Sequence, residues 1–337
     1  MKSRKPGKLA RNAVLFLLMA GFLFWMFHQD FPAILACLDS LSAAELVLLP
    51  AMGLGYSLLD AAVFFSLVQG RLPSFRYRES VTLTFLTVFG NTTTSGAGSL
   101  PLQSYYLYRR GLSAGSGVGL MLLEYILHKT TVLLYAAAVM LAQGSWLRQK
   151  MPSLMRYIYP GFAVCGAIIA ALALLCTWDR VRQLLEWGIG KLPKDGPWEK
   201  RKEEWNKNLE FLYKEAEKLR KNRRACRRAV LFSIVKLSWL YTIPCVCLQM
   251  AGAHGLPAGK AFALSSILLL ITGALPNVAG AGPTEFAFLL LFEPWNGRAT
   301  AAGALILYRI ATYFFPFLIS IGVFLWQKKN LTLPQNA

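Results

Sequence analysis

Residues 272–294 read TGALPNVAGAGPTEFAFLLLFEP, an apolar run broken near its centre by Pro276, Gly280, Gly282 and Pro283. A helix needs about 20 apolar residues to cross the hydrocarbon core, so neither half spans it. Non-helical backbone at that depth survives only where protein or a water-filled cavity satisfies its N–H and C=O groups. The break is therefore expected to line a site. Offset by 184 residues, the stretch 89–111, FGNTTTSGAGSLPLQSYYLYRRG, carries a second break, with Gly96-Ala97-Gly98 standing where Gly280-Ala281-Gly282 stand. Gly/Pro interruptions in corresponding places are the sequence mark of a transporter-type binding site between repeats.

Of the 337 residues, 55% are hydrophobic and 16% are charged, which points away from a soluble core and toward an all-α polytopic membrane protein. Full spans are expected at roughly 10–29, 44–70, 113–143, 157–178, 228–252 and 299–326. The first follows the basic run MKSRKPGKLAR without a small-residue cleavage site, and reads as a retained helix. Orientation comes from the cations. With a cytoplasmic N-terminus and re-entrant hairpins over 79–110 and 258–294, cytoplasmic pieces hold 28 of the 36 Lys and Arg, and the outer loops hold only Arg148, Lys150, Arg156, Lys260 and Arg298. Three crossings then separate the hairpins, so they enter from opposite faces. The chain becomes one membrane domain with an inverted repeat, 44–143 against 228–326. Residues 96–126 and 280–310 share 7 identities in 31 positions, which suggests the repeat without deciding it.

Net charge is +19, and the connector 179–228 contributes 16 basic against 9 acidic residues. Its stripe of Trp205, Leu209, Leu212, Ala216 and Leu219 suits a helix lying on an anionic inner leaflet, where each nearby cation is worth about 1 kcal/mol. A solvated connector accounts for the same residues equally well. No nucleic-acid-binding pattern accompanies the charge. The six cysteines are scattered and lack metal-ligand spacing, so they read as small buried hydrophobes; neither a metal nor a cofactor is expected.

Charged groups within apolar spans mark candidate function, because burying them costs several kcal/mol unless they are partnered. Asp60, Glu124 and Glu285 are the three such carboxylates. Asp60 is a cavity group or a hydrogen-bond partner of a neighbouring helix. Glu124 and His128 lie four apart on one helical face, with Lys129 beside them, and form a cavity wall or pair locally. Glu285 caps its own half-helix, or faces the cavity to hold an amine or a proton. Arg309, next to Tyr308, needs a carboxylate or a phosphate. In the first hairpin Gly98 opens a half-helix whose N-terminus points inward, and Gln103 one turn on could donate to an anion or pack between helices. Lys236, near the inner end of its helix, reads as a snorkelling lysine. No nucleophile or substrate-activating motif accompanies these residues, so no catalytic group is named.

These motifs resemble the membrane domain of the lysylphosphatidylglycerol synthase family, flippase-like proteins of the multiple peptide resistance factor type. The typical Gly-Gly-Gln-Pro-x-Gln run appears here as Gly98-Ser99-Leu100-Pro101-Leu102-Gln103, before a Tyr-Leu-rich helix and a basic-Gly turn. The typical Pro-Gly-Gly-x-Gly-x-x-Glu run appears as Pro276-Asn277-Val278-Ala279-Gly280-Ala281-Gly282-Pro283-Thr284-Glu285, with altered glycine spacing. The resemblance implies a bacterial-type plasma membrane protein with both termini cytoplasmic. It also implies movement of an anionic or aminoacylated phospholipid between leaflets, with consequences for resistance to cationic antimicrobial peptides. A lysyltransferase activity belongs to a separate soluble domain in that family, and the residues after Lys329 are too few to form one. A carrier of polyprenyl-phosphate-linked substrates, or a membrane partner of an aminoacyltransferase or glycosyltransferase, is the alternative. Oligomeric state is not specified.

Overall fold

The computed structural model describes residues 35–36, 39–94, 98–177, 207, 210–219, 221–253, 255–275 and 282–331. The span expected at 10–29 lies outside them, as do Asn277, Gly280, Trp205 and Leu209. The described residues are mostly helical, without strands, and build an all-α polytopic membrane protein. Its helices are α1 (Ala43–Val68), α2 (Tyr77–Thr93), α3 (Ser99–Arg109), α4 (Ala114–Lys150), α5 (Met155–Thr177), α6 (Arg223–Met250), α7 (Ala258–Ala274), α8 (Pro283–Asn296), α9 (Arg298–Arg309) and α10 (Phe315–Leu331). A π turn, Ile310–Phe314, joins α9 to α10. Among the described residues, five stretches are long and apolar enough to cross a membrane: Ala43–Val68, Ala114–Lys150, Pro152–Ala171, Arg223–Met250 and Arg298–Gln327.

The helices end where the sequence supplies caps and breaks. Ser42 and Glu45 form a reciprocal capping box at the start of α1, Ser113 accepts from Ser116 N–H at the start of α4, and Asn222 accepts from Ala225 N–H at the start of α6. Pro283 occupies the first turn of α8, where its missing N–H costs nothing.

Helices α2 and α3 pack on each other as a hairpin. At its base, Glu79 in the first turn of α2 is ion-paired with Arg110, just past α3. Toward its tip, Gly90 lies so close to Gly98 that an added Cβ would meet the Gly98 carbonyl carbon at 2.9 Å. Across its middle, Gln103 Nε2 donates to Thr87 Oγ1 at 2.5 Å. Helices α7 and α8 form a second packed pair. There Gly255, just before α7, abuts the Trp295 carbonyl near the end of α8; an added Cβ would fall 2.0 Å from that oxygen.

Helix α4 relates the two pairs. Its 37 residues extend about 55 Å. The α2–α3 base sits at its N-terminal end, where Gly117 lies against Ser104 of α3. The α7–α8 base sits at its C-terminal end, where Trp146 stacks on Trp295 at 5.3 Å and Lys260 lies 4.3 Å over the Trp146 ring. The two pairs thus close at opposite ends of one long helix. The tip of α7 reaches α4 near its middle, where Lys129 Nζ donates to the Gly273 carbonyl at 3.4 Å. That contact puts a cation on the carbonyl end of α7, the favourable end of its dipole.

The described part of the connector before α6 packs on the protein. Over 210–219 it is a helix whose Leu212 and Glu215 are buried against the protein. The ring of Phe211 fills the space beside Gly115 of α4, and the Phe211 carbonyl and Glu215 side chain fill that beside Gly119; an added Cβ would stand 2.1 Å and 2.7 Å from the nearest atoms. Two glycines four apart make one flat helical face, and the connector helix rests on it.

The core follows the same division. One buried cluster joins α1, α4, α6, α7, α8 and α9 and includes Leu240, Ile267, Leu270, Phe288 and Leu305. A smaller one joins α1 and the N-terminal parts of α4 and α6 to the α2–α3 pair and includes Phe64, Leu83, Tyr106, Leu120 and Ala229. Two close crossings need glycine. Gly53 of α1 faces the π turn, with an added Cβ 1.8 Å from the Ala311 carbonyl oxygen, and Gly55 faces the Trp239 ring at 3.0 Å.

Candidate functional site: two buried ion-pair clusters between the helix pairs

Asp60 of α1, Glu124 of α4 and Lys236 of α6 converge. Lys236 Nζ donates to Asp60 Oδ1 at 2.8 Å and to Glu124 Oε1 at 3.2 Å. The lysine side chain is 1% exposed, whereas the carboxylates are 16% and 17% exposed. Lys236 is therefore not a snorkelling lysine. It has no path to the interface, and its ammonium is held by two carboxylates instead. Measured along their helices, Asp60, Glu124 and Lys236 lie about 12 to 20 Å from the end where the α2–α3 pair closes. With those helix ends at the edge of a hydrocarbon core about 30 Å thick, the three groups would lie near its centre. Tyr56, one turn before Asp60, lies within electrostatic reach of all three groups and of Tyr308.

His128 is one turn from Glu124, yet Glu124 reaches across to Lys236 and leaves the His128 Nδ1 atom buried without a hydrogen-bond partner. Lys129 turns the other way, to Gly273. The local Glu124 to His128 pairing that helix periodicity allows is not the one the fold makes, because the α6 ammonium is the stronger partner.

The second cluster is Glu285 of α8 with Arg309 of α9. Arg309 Nε and Nη2 donate to Glu285 Oε1 at 2.7 and 2.5 Å, and both residues are buried. The other carboxylate oxygen accepts from Gly282 N–H at 2.6 Å, so Glu285 caps its own helix while holding the arginine. Gly282 adopts φ +93°, a conformation that glycine reaches without Cβ strain. Tyr308 is buried with its ring 5.6 Å from that of Phe288, and the Arg309 guanidinium lies 5.4 Å from the Tyr313 ring. The π turn follows Arg309 at once, a common companion of functional residues in helices.

The two pairs therefore differ at their inner helix starts. The amide end of α8 is filled by its own Glu285. The first turn of α3 has no acidic residue, and Gly98 N–H donates to the Thr94 hydroxyl at 2.5 Å. Beside it opens a cavity of about 390 Å³ lined mainly by Phe89, Thr93, Pro101, Leu102, Tyr105 and Phe324. Phe89 and Phe324 stack at 4.0 Å to form one wall, and the Tyr105 hydroxyl is buried without a partner. Gln103 lies one turn on but faces Thr87 across the hairpin.

Sequence reasoning singled out Asp60, Glu124, Glu285 and Arg309 and missed Lys236. The available signal was arithmetic: two carboxylates deep in spans need a cation, and Lys236 lies 13 residues into α6, far from both of its ends.

No curated protein matches the chain. The family model described as lysylphosphatidylglycerol synthase TM region matches residues 12–320. With that match spanning nearly the whole chain, and with multi-pass apolar helices beneath it, the protein belongs to the lysylphosphatidylglycerol synthase transmembrane family.

Proposed function

We propose that this protein carries an anionic or aminoacylated phospholipid, of the lysylphosphatidylglycerol type, between the leaflets of a bacterial-type plasma membrane. The observation that carries the reading is the pair of buried ionic clusters, drawn from α1, α4, α6, α8 and α9, between two helix pairs that close at opposite ends of α4. Charged residues at that depth are costly and belong to substrate pathways more often than to packing. In this reading both pairs are re-entrant hairpins of an inverted repeat, with the α2–α3 base, the connector and both termini on the cytoplasmic side. Exposed Arg223, Arg224 and Arg227 at the start of α6 suit an anionic inner leaflet.

The groups divide the work by charge. The amide end of α3, beside an apolar cavity that suits acyl chain, receives the phosphate. Arg309 joins it when Glu285 is drawn to an amino head group, and Glu124 offers the second carboxylate for that amine or for a proton. A lipid zwitterion thus exchanges partners with protein ion pairs without leaving a bare charge in hydrocarbon.

Liposomes holding the protein and fluorescent phosphatidylglycerol or lysylphosphatidylglycerol, read by an outer-leaflet quencher, test this. Head-group-dependent flipping by the wild type, lost in Glu285→Gln and Arg309→Ala, supports it. Absence of flipping of either lipid by folded protein overturns it and favours lipid-linked sugars or a partner enzyme.

A further inference from the structure

We propose that the connector helix 210–219 is a latch on the α2–α3 hairpin, closed by Glu215; the transport consequence rests on the lipid-translocation reading above. Glu215 is buried, and its carboxylate is bound on three sides. Arg71 Nε donates to it at 2.5 Å, Ser116 Oγ at 2.9 Å and Lys218 Nζ at 3.0 Å. Arg71 lies in the turn that leads into α2, and Ser116 in the first turn of α4, which follows α3. One carboxylate therefore ties together the two chain segments that flank the hairpin.

Neighbouring contacts extend the clasp. Arg71 Nη2 also donates to the Glu215 carbonyl at 3.4 Å, and Arg228 Nη2 donates to Gln69 Oε1 at 3.3 Å. Gly70 lies against α6, where an added Cβ would stand 3.7 Å from the Ala225 Cβ. The bare glycine face of α4 at Gly115 and Gly119 lets the latch helix come close enough for Glu215 to reach Ser116.

Alternating access moves one hairpin or bundle against the rest. A hairpin whose two flanks share one buried carboxylate cannot shift relative to α4 without breaking that clasp. The latch therefore sets how readily the α2–α3 side opens. Its residues touch neither the two ionic clusters nor the cavity, which makes it a positioning device.

Two variants test the idea, each on the full chain. The 3.7 Å Cβ separation suits a disulfide between Gly70→Cys and Ala225→Cys, made with Cys226→Ser to avoid mispairing. Oxidation of that variant is expected to cut lipid flipping by about tenfold or more, with recovery on reduction, because the flank can no longer leave α6. Glu215→Gln removes the charge that Arg71 and Lys218 hold, so amide hydrogen exchange over 210–219 is expected to rise by about tenfold, and flipping to quicken. Cross-linked protein that flips lipid as fast as its reduced form overturns the proposal. So does exchange over 210–219 in Glu215→Gln equal to that of the wild type. If the wild type moves no lipid, the translocation reading fails by itself. The latch is then judged by exchange alone, which needs no transport.

Discussion

Replacing Lys236 by methionine removes the ammonium that Asp60 and Glu124 share while keeping most of the side-chain volume. At separations of 2.8 and 3.2 Å the two attractions amount to about 6 and about 5 kcal/mol at an effective dielectric of about 20, before desolvation is subtracted. Both carboxylate oxygens lie on one nitrogen, so they are at most about 6 Å apart and repel each other by about 3 kcal/mol or more on the same scale. Methionine would leave that repulsion with no counter-charge. Stranding a buried charge in this way costs about 3–5 kcal/mol, because relaxation, water entry and proton uptake recover part of the Coulomb loss. In detergent the apparent melting temperature should fall by roughly 6 °C or more. The triple variant Asp60→Asn, Glu124→Gln, Lys236→Met carries no charge at the site and should regain most of that loss. The measurement is thermal unfolding followed by size-exclusion fluorescence. A Lys236→Met protein within about 1 kcal/mol of the wild type would refute the reasoning, since a truly shared buried ammonium cannot be deleted so cheaply.

Arg309→Met strands Glu285 with only the Gly282 amide and should cost about 3 kcal/mol, whereas Glu285→Gln retains a cap acceptor and should cost less; the order of their melting temperatures checks this. Gly53→Ala drives a methyl into the Ala311 carbonyl and should cost about 3 kcal/mol or prevent folding, while Gly259→Ala, with nothing within 4 Å, should stay within about 1 kcal/mol of the wild type in the same assay.

Much of the architecture was legible in the apolar runs and in the glycine and proline breaks. α3 begins at Ser99 and α8 at Pro283, beside the glycines that interrupt each run. In those regions the chain forms four short helices, Tyr77–Thr93, Ser99–Arg109, Ala258–Ala274 and Pro283–Asn296. What escaped were partners far apart in sequence. Helical spacing allowed Glu124 a cavity wall or a local pair with His128, but spacing reports only neighbours on one helix, and Lys236 arrives from 112 residues away. Glu215 escaped for a related reason. It sits on the same face as Leu212, Ala216 and Leu219, so a stripe read as purely apolar carried one carboxylate that needed Arg71. An acidic residue within an apolar stripe points to a protein partner more than to a lipid surface, because a bare carboxylate is poorly placed against an anionic leaflet.

The length of α4 has a mechanical meaning. At about 55 Å it exceeds the hydrocarbon core by some 25 Å, and the two helix-pair bases are fastened near its ends, at Gly117 and at Trp146. The spacing between those bases is thus set by a single rod and not by the lipid around it. A thinner or thicker membrane would tilt that rod before it could pull the bases apart, at a cost of fractions of a kcal/mol per Å of mismatch. The protein carries its own ruler, and the spacing of the helix-pair bases holds as acyl-chain length varies.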